Sequence, residues 1–319
     1  MITEVTAEAL DPARYADDQI AQIRAAVGDG KAINALSGGV DSSTVTLLGH
    51  RALGKQMKTF FVDNALMRAG EPQRIVRLFA DLGIPVQNVD ARQEFLAALK
   101  GISDPEKKRQ AITDTFYAKV FVRLVRETKA HFLMHGTILT DIEETVAGIK
   151  RQHNILSQMG IKPEEAYGYA VLEPLKTLRK DGVRAVAAEL GLPNEIARRM
   201  PFPGPALAAR IVGDVTEEKL DLVRRATAVV EEELADCGAF QYLAVLLNDY
   251  ATGIRNNKRE FGRIIVVRCI ESTDARTATV TRLPWEKLEK ICQRITDIPG
   301  VNRCLYDLTP KPPATVEYV

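Results

Sequence analysis

Cysteine is scarce in this chain of 319 residues, and its spacing excludes two common kinds of site. The four cysteines are Cys237, Cys269, Cys292 and Cys304. No two of them are close enough for a C-x-x-C pair, so the sequence predicts neither a zinc knuckle nor a dithiol redox motif. We expect all four to act as small buried hydrophobes.

An excess of charge of either sign is also missing. The chain has 43 Lys and Arg against 42 Asp and Glu, and this balance disfavours a protein built mainly to bind nucleic acid. The first residues lack a basic region followed by an apolar one, and no apolar run approaches a membrane span. We therefore expect no nucleic-acid or membrane partner and a cytoplasmic location.

What is present is a glycine-rich turn, LSGGVDSS, at residues 36–43. An apolar run at 31–36 precedes it and a helical run at 44–53 follows it. In such a strand–turn–helix, backbone N–H groups converge on an anion, and Gly38 and Gly39 allow its close approach. Ser37, Ser42 and Ser43 add hydroxyl donors, and we expect Ser42 or Ser43 to cap the helix.

Asp41 is the unusual member of this turn. A carboxylate beside a phosphate is repulsive unless a cation lies between them, so we interpret Asp41 as a neighbour of Mg²⁺. The turn is not the common G-x-x-x-x-G-K-[ST] phosphate loop, because no lysine follows its last glycine.

The first two thirds of the chain alternate between strands and helices. A helix begins after Asp11-Pro12, strands are predicted at 58–63, 86–90 and 132–135, and a helix at 71–82. This alternation predicts a parallel sheet with helices on both faces, whose ligands bind at the carboxyl ends of the strands. Asp63, Asn64 and Arg68 follow one strand, and Gly136 follows another.

Two further helical segments carry charge. A long helix is predicted at 104–128, and Glu173-Pro174 is expected to open a helix that includes Lys180 and Asp181. Residues 141–158 mix carboxylates and cations, including Lys150 and His153, which suits phosphate and Mg²⁺ handling. On spacing alone these cations could equally form a solvated helix surface.

A boundary is predicted at PFPGP, residues 201–205, because three prolines and a glycine cannot lie within a helix or central strand. Beyond it, a helix at 217–235, strands at 242–247, 263–271 and 303–308, and a helix at 283–295 predict a smaller α+β domain. The predicted domains are residues 1–200 and 201–319.

These landmarks also carry a family resemblance that spans nearly the whole chain. Its motifs are LSGGVDSS at 36–43, FVDNALMRAGE at 61–71, HGTILTDIEE at 135–144, RMPFPGPALAARI at 199–211 and YDLTPKPPATVEYV at 306–319. Together they resemble the ATP pyrophosphatase (PP-loop) part of glutamine-hydrolysing GMP synthase, in its form without a fused amidotransferase domain.

The resemblance implies a ligase with a PP-loop domain followed by a dimerisation and acceptor-binding domain. It implies ATP, Mg²⁺ and an adenylyl-XMP intermediate that ammonia converts to GMP, with release of AMP and pyrophosphate. A homodimer and a separate glutaminase subunit that supplies the ammonia are also implied.

Residue roles follow from the same resemblance. ATP is expected at Ser37, Gly38, Gly39, Val40, Asp41, Ser42, Ser43, Val62 and Gly136. Catalytic roles are expected for Asp41, Lys150, His153 and Lys180, and metal contacts for Asp41 and Asp181. The acceptor is expected at Arg68, Pro203, Gly204, Arg255, Lys311, Thr315 and Glu317.

The sequence departs from the family mainly on the acceptor side. Arg255 replaces a glutamine that meets XMP, Arg151-Gln152 replace a Ser-His pair, and Val319 replaces a terminal acid. The Gln-to-Arg change adds a charge and removes an acceptor. Two alternatives therefore remain open: a paralogous PP-loop ligase for another nucleotide or carbonyl acceptor, and a non-catalytic subunit that responds to ATP.

Overall fold

The computed structural model describes residues 2–146, 169–197, 199–273 and 275–319. The chain forms two compact units. Unit 1 comprises Met1–Asp63, Pro72–Asp90 and Phe116–Arg199, and unit 2 comprises Asn64–Glu71, Ala91–Thr115 and Met200–Val319. Within the described residues, no helix is long and apolar enough to cross a membrane. The predicted domain limits of 1–200 and 201–319 stay a prediction.

Unit 1 is built on a five-stranded sheet in which every pairing is parallel. Its strands are β1 (Ala32–Ala35), β2 (Met57–Asp63), β3 (Val86–Asp90), β4 (Phe132–Met134) and β5 (Ala170–Leu172), in the spatial order β3-β2-β1-β4-β5. The central strands β1 and β2 are buried along most of their length, as parallel strands covered by helices on both faces must be. The predicted α/β fold is confirmed.

The helices described before residue 200 are the following, in chain order: α1 (Pro12–Val27), α2 (Val40–Leu53), α3 (Glu71–Asp81), α4 (Arg92–Leu99), α5 (Pro105–Asp114), α6 (Val122–Thr128), α7 (Leu139–Val146), α8 (Lys180–Glu189) and α9 (Asn194–Ala197). The start of α1 shows why the sequence signals worked. The carboxylate of Asp11 accepts hydrogen bonds from the backbone N–H groups of Ala13 and Arg14, and Pro12 occupies the first helical position.

Two of the predicted helices that begin after residue 100 had wrong bounds. The expected helix 104–128 is divided into α5, a π-helical segment at Thr115–Phe121, and α6. The helix expected from Glu173 begins only at Lys180, because Arg179 is extended at the N-cap and Leu178 N–H closes a turn on Leu175 O. The strand β5 was not predicted, since its three residues are too few to show a period.

Unit 2 contains a second sheet, formed by β6 (Gln241–Arg255), β7 (Lys258–Glu271), β8 (Thr279–Val280) and β9 (Val301–Tyr306). Strands β6 and β7 form a long antiparallel hairpin whose turn, Asn256-Asn257, has positive φ angles of 51° and 58°. Helices α10 (Glu217–Glu233) and α11 (Trp285–Thr296) complete the predicted α+β arrangement.

Candidate functional site

The PP-loop connects β1 to α2 at the carboxyl edge of the parallel sheet. Gly38 has a φ of 78°, which only glycine adopts without strain, and Gly39 is the extended N-cap of α2. The helix therefore begins at Val40, earlier than predicted, and no side chain caps it. The expectation that Ser42 or Ser43 caps α2 was wrong, because both lie inside the first turn.

The serine hydroxyls fold the loop back on itself. Ser42 Oγ donates to Gly39 O at 3.1 Å and accepts from Ser37 N–H at 3.1 Å. The two hydroxyl oxygens of Ser37 and Ser42 are 2.9 Å apart. The hydroxyl of Ser43 is buried and has no hydrogen-bond partner within the described ranges. The loop is thus held in shape by its own serines while the N–H groups at the start of α2 remain available to an anion.

Asp41 carries a charged contact from the loop to another helix. Lys180 Nζ, at the first residue of α8, donates to Asp41 Oδ2 at 2.6 Å. The other oxygen, Asp41 Oδ1, is buried and has no hydrogen-bond partner among the described residues. A desolvated carboxylate oxygen without a donor costs free energy, and this is the kind of oxygen that a hard cation binds.

Two neighbours complete this edge. A Cβ added at Gly136 would lie 3.2 Å from both Asp41 C and Ser42 N, so the chain after β4 packs directly against the loop and a side chain there would crowd it. Arg199 NH1 donates to Gly38 O at 3.3 Å. Arg199 was missed from the sequence, because nothing local links it to a loop 161 residues away.

The remaining residues predicted for the ATP side are less informative. Val62 is buried within β2. Asp181 is exposed, and its Oδ1 accepts from the N–H of Gly182 at 2.9 Å. Lys150 and His153 lie outside the described residues. In the described ranges no group of three or more His, Cys, Asp or Glu could hold a metal ion. Mg²⁺ needs only one or two protein carboxylates when phosphates supply other ligands.

In unit 2, the predicted residue Arg68 is almost fully buried. Its Nε donates to Glu231 Oε1 at 2.5 Å, and its guanidinium lies 3.9 Å from the ring centroid of Phe202. Phe202 belongs to the PFPGP motif, which is therefore more than a linker. Among the described residues Arg68 NH1 is buried and has no hydrogen-bond partner, although it forms an ion pair with Glu71 Oε2 at 3.8 Å.

Arg210 is the principal residue that sequence reasoning missed. Its fully buried side chain places Nε and NH2 each 3.1 Å from an oxygen of Glu317. Gln241 donates to the same carboxylate at 2.6 Å. The guanidinium also lies 5.0 Å from the ring centroid of Phe202, and its NH1 has no hydrogen-bond partner in the described part of the chain. Arg210 was visible only as one letter of a longer family motif.

A second missed arginine, Arg268, organises the C-terminal segment. Its NH1 pairs with Asp307 at 2.7 Å and donates to Thr309 O at 2.8 Å. Its NH2 donates to Thr315 O at 2.9 Å. The predicted residue Lys311 donates through Nζ to Ala275 O at 2.6 Å. The predicted tail residues are therefore fixed by hydrogen bonds within unit 2.

The other acceptor-side predictions are placed without a ligand contact to test them. Arg255 pairs with Glu260 at 3.0 Å and donates to Thr296 O at 2.9 Å, so its described contacts are structural. Pro203 O accepts from Ala206 N–H at 2.8 Å. No atom of the described residues lies within 4 Å of where a Cβ on Gly204 would stand.

Comparison with known proteins decides the family. Residues 229–318 match the GMP synthase C terminal domain, and residues 14–149 match the NAD synthase family. A glutamine-hydrolyzing GMP synthase subunit from Archaeoglobus fulgidus is 48% identical over 97% of this chain and 100% of its own length. The corresponding subunit from Methanopyrus kandleri is 46% identical over 97% of this chain and 99% of its own.

The chain belongs to this family of GMP synthase subunits. A solved NH3-dependent NAD synthetase from Campylobacter jejuni is far less similar, with 16% identity and a TM-score of 0.47 over 72% of this chain and 88% of that one. The family resemblance carried by the sequence motifs is confirmed.

Proposed function

We propose that the chain aminates XMP to GMP: it adenylates O2 of XMP with ATP, releases pyrophosphate, and lets ammonia displace AMP. The ion pair between Asp41 and Lys180, set in a serine- and glycine-lined helix start, is the observation that carries this proposal. Full-length similarity to the GMP synthase relatives supports the choice of acceptor.

Unit 1 is assigned to ATP. The N–H groups at the start of α2 receive the pyrophosphate that departs when the α–β bond breaks, because anions bind at helix N-termini. Lys180 offers a cation to the charge that develops on the leaving pyrophosphate. Its present bond to Asp41 keeps both side chains in place until ATP arrives.

Asp41 is assigned to Mg²⁺, and the residues present fit that ion. Asp41 Oδ1 is a buried oxygen without a donor, which suits a hard cation better than it suits isolation. When bound, Mg²⁺ supplies charge neutralisation for the phosphates. Asp41, and Asp181 as the second predicted ligand, would hold it from the protein side.

Unit 2 is assigned to XMP. Arg68 and Arg210 stack on the same ring of Phe202, and among the described residues the buried NH1 of each has no hydrogen-bond partner. Two such guanidinium groups around one aromatic ring suit a planar, anionic nucleotide. Glu317 fixes Arg210 through two hydrogen bonds, so the tail acts on the acceptor by holding this arginine.

Two partners are also proposed. A separate glutamine amidotransferase subunit supplies ammonia, since the GMP synthase relatives are named as subunits of a glutamine-hydrolyzing enzyme.

A second copy of this chain covers one face of the β6–β7 hairpin, where Tyr250, Ile254 and Phe261 are exposed large hydrophobics. Phe261 on β7 pairs with Thr252 on β6, and Tyr250 and Ile254 lie two residues before and after Thr252. Side chains two residues apart on a strand share a face, so all three hydrophobics lie on the same face of the hairpin. Phe261→Glu should convert a dimer to a monomer in size-exclusion light scattering.

The direct test incubates the purified chain with ATP, Mg²⁺, XMP and an ammonium salt. The expected result is GMP, AMP and pyrophosphate in equal amounts, with no pyrophosphate when XMP is omitted. Replacement of XMP by IMP serves as the control acceptor. Pyrophosphate release with IMP but not with XMP would favour a paralogous ligase. No turnover of ATP with any acceptor would favour a non-catalytic role.

A further inference from the structure

A large cavity lies at the edge of the unit 1 sheet opposite to the PP-loop. Its volume is about 960 Å³, and it is lined by the first residues of β2 and β3 and by the last turn of α2. In a parallel sheet these are the amino ends of the strands, whereas the PP-loop follows a carboxyl end. The cavity is therefore distinct from the ATP site assigned above.

The cavity has one cationic wall and one apolar wall. The cations are Arg51 in the last turn of α2, Lys55 in the turn that follows and Lys58 in β2, and the described lining contains no carboxylate. The apolar side chains are Leu82, Ile84 and Pro85 between α3 and β3, with Val86 at the start of β3 and Leu190. A phosphate attached to a planar or apolar group matches this division of charge.

The cationic side chains of this cavity are not needed to cap the C-terminus of α2. Gly54 N–H already donates to His50 O and so caps the end of α2. Lys58 lies on a strand, and neither Lys55 nor Lys58 has a hydrogen bond or ion pair in the described part of the chain. Two exposed ammonium groups beside an apolar wall thus remain available to an anion.

His50 connects this cavity to the PP-loop through a buried chain of hydrogen bonds. His50 Nε2 lies 3.0 Å from Thr59 Oγ1, which donates to Asn34 Oδ1 at 2.7 Å. Asn34 Nδ2 donates to Thr46 Oγ1 at 2.7 Å. Thr46 Oγ1 in turn donates to the carbonyl of Ser42, in the PP-loop, at 2.7 Å.

The number of available protons decides which atom donates in each of these hydrogen bonds. Thr59 Oγ1 donates its only proton to Asn34 Oδ1. In its contact with His50 it must therefore accept, which requires a proton on His50 Nε2. Burial, and then the nearby charge of Lys58, lower the pKa of His50 to about 4, so the ring is neutral at pH 7 and its Nδ1 carries a lone pair. An acidic proton of a ligand in the cavity can meet that lone pair.

We propose that this cavity binds a phosphate monoester of nucleotide size, and that its occupancy alters the affinity of the PP-loop for ATP through His50, Thr59, Asn34 and Thr46. Because Thr59, Asn34 and Thr46 are buried, and His50 is bonded to them in series, a displacement of His50 must either move Thr59 or break their hydrogen bond. The coupling half of the proposal rests on the ATP site proposed above, whereas the binding half does not.

Binding is tested by calorimetric titration with uridine 5′-monophosphate, which is neither of the two proposed substrates, ATP and XMP. The protein is first saturated with α,β-methylene-ATP and Mg²⁺, so that the PP-loop is occupied. The double variant Lys55→Glu/Lys58→Glu should bind the probe at least tenfold more weakly than wild type. The control Lys119→Glu/Lys129→Glu, at two exposed lysines of the same unit, should stay within twofold. Inorganic phosphate and uridine should each bind more weakly than the nucleotide.

The binding half is overturned if the probe fails to bind at about 10 mM, a concentration that would fill any site with a millimolar Kd, or if both double variants lose it equally. Coupling is measured as the change in the Kd of α,β-methylene-ATP on saturation with the probe. Wild type should show at least a threefold change, Thr59→Ser should keep it, and Thr59→Val should lose it while still binding the probe.

An unchanged Kd in wild type, or an undiminished change in Thr59→Val, overturns the coupling. If α,β-methylene-ATP fails to bind wild type at all, the proposed ATP site is what fails. The titration of the cavity by the probe alone then still decides the binding half.

Discussion

The charged side chains at the PP-loop of unit 1 and the buried arginines of unit 2, Arg210 and Arg268, are held in opposite ways. At the PP-loop the charged groups are partly open to solvent, with Lys180 45% and Asp41 26% exposed. In unit 2 the side chains of Arg210 and Arg268 are 0% and 1% exposed and are held by carboxylates and backbone carbonyls. The first arrangement can change partners easily, whereas the second is part of the core, so the same charge should matter to turnover in one place and to stability in the other.

The largest effect should follow removal of Arg268. Arg268→Leu leaves Asp307 and the carbonyls of Thr309 and Thr315 without their donor, and breaking a buried ion pair costs about 3–5 kcal/mol. Urea unfolding measures this loss. Arg225→Leu, which breaks an exposed pair with Asp221, should cost less than about 0.5 kcal/mol. Equal losses in the two variants would remove the contrast between core and surface arginines.

Lys180 should show the reverse behaviour. Lys180→Ala should lower the rate of pyrophosphate release by about 100- to 1,000-fold, because it removes a donor aimed at developing negative charge. Its free energy of unfolding should change by less than about 1 kcal/mol, since the pair is exposed. Lys176→Ala, at an exposed lysine of the same unit, is the control and should keep wild-type turnover. A normal rate in Lys180→Ala would contradict its role.

Glu317→Gln should raise the KM for XMP without raising the KM for ATP. The variant keeps the size of the side chain but weakens its two bonds to Arg210, and hydrogen bonds to charged groups are worth about 1.5–3 kcal/mol. The KM for XMP should rise about tenfold or more, while the KM for ATP stays within twofold. Glu286→Gln, at an exposed glutamate of α11, is the control. A similar rise in both KM values would count against assigning Glu317 to the acceptor.

A buried lysine of unit 2 should make the stability of the protein depend on pH. Burial, and then Lys219, lower the pKa of Lys108 from 10.5 to about 8 despite an opposing effect of Asp214. Between these two pH values the unfolded chain binds more protons than the folded one, so this group makes stability rise with pH from about 8 to 10.5. Lys108→Met should flatten that part of the curve of Tm against pH. A curve parallel to that of wild type would show that Lys108 does not titrate in this range.

The sequence predicted the first unit well because its signals are local. The PP-loop, its strand and its helix occupy about twenty consecutive residues, and Gly38 needs its positive φ within that segment. The alternation of strands and helices then implied a parallel sheet. Sequence failed where a local signal was weak: the three-residue strand β5 has no detectable period, and Glu173-Pro174 resembled a helix start that the chain uses as a turn.

The arginines of unit 2 could not be predicted in the same way. Arg210 meets Glu317 across 107 residues, and Arg268 meets Asp307 across 39, so no window of sequence contains both partners. An arginine in a strand or after a proline-rich turn looks like any surface cation until the fold buries it. The series of hydrogen bonds through Asn34, Thr46, Thr59 and His50 was not predicted for the same reason. Its members lie on three different elements, β1, α2 and β2.

The fate of one oxygen atom tests the central claim most directly. If ATP adenylates XMP, an ¹⁸O label placed at O2 of XMP must pass to the phosphate of AMP when ammonia attacks. Mass spectrometry of the products after turnover with ammonium and ATP should find one ¹⁸O in AMP and none in pyrophosphate. Label in inorganic phosphate, accompanied by ADP, would show attack at the γ-phosphate and contradict the assignment of this chain as an ATP pyrophosphatase.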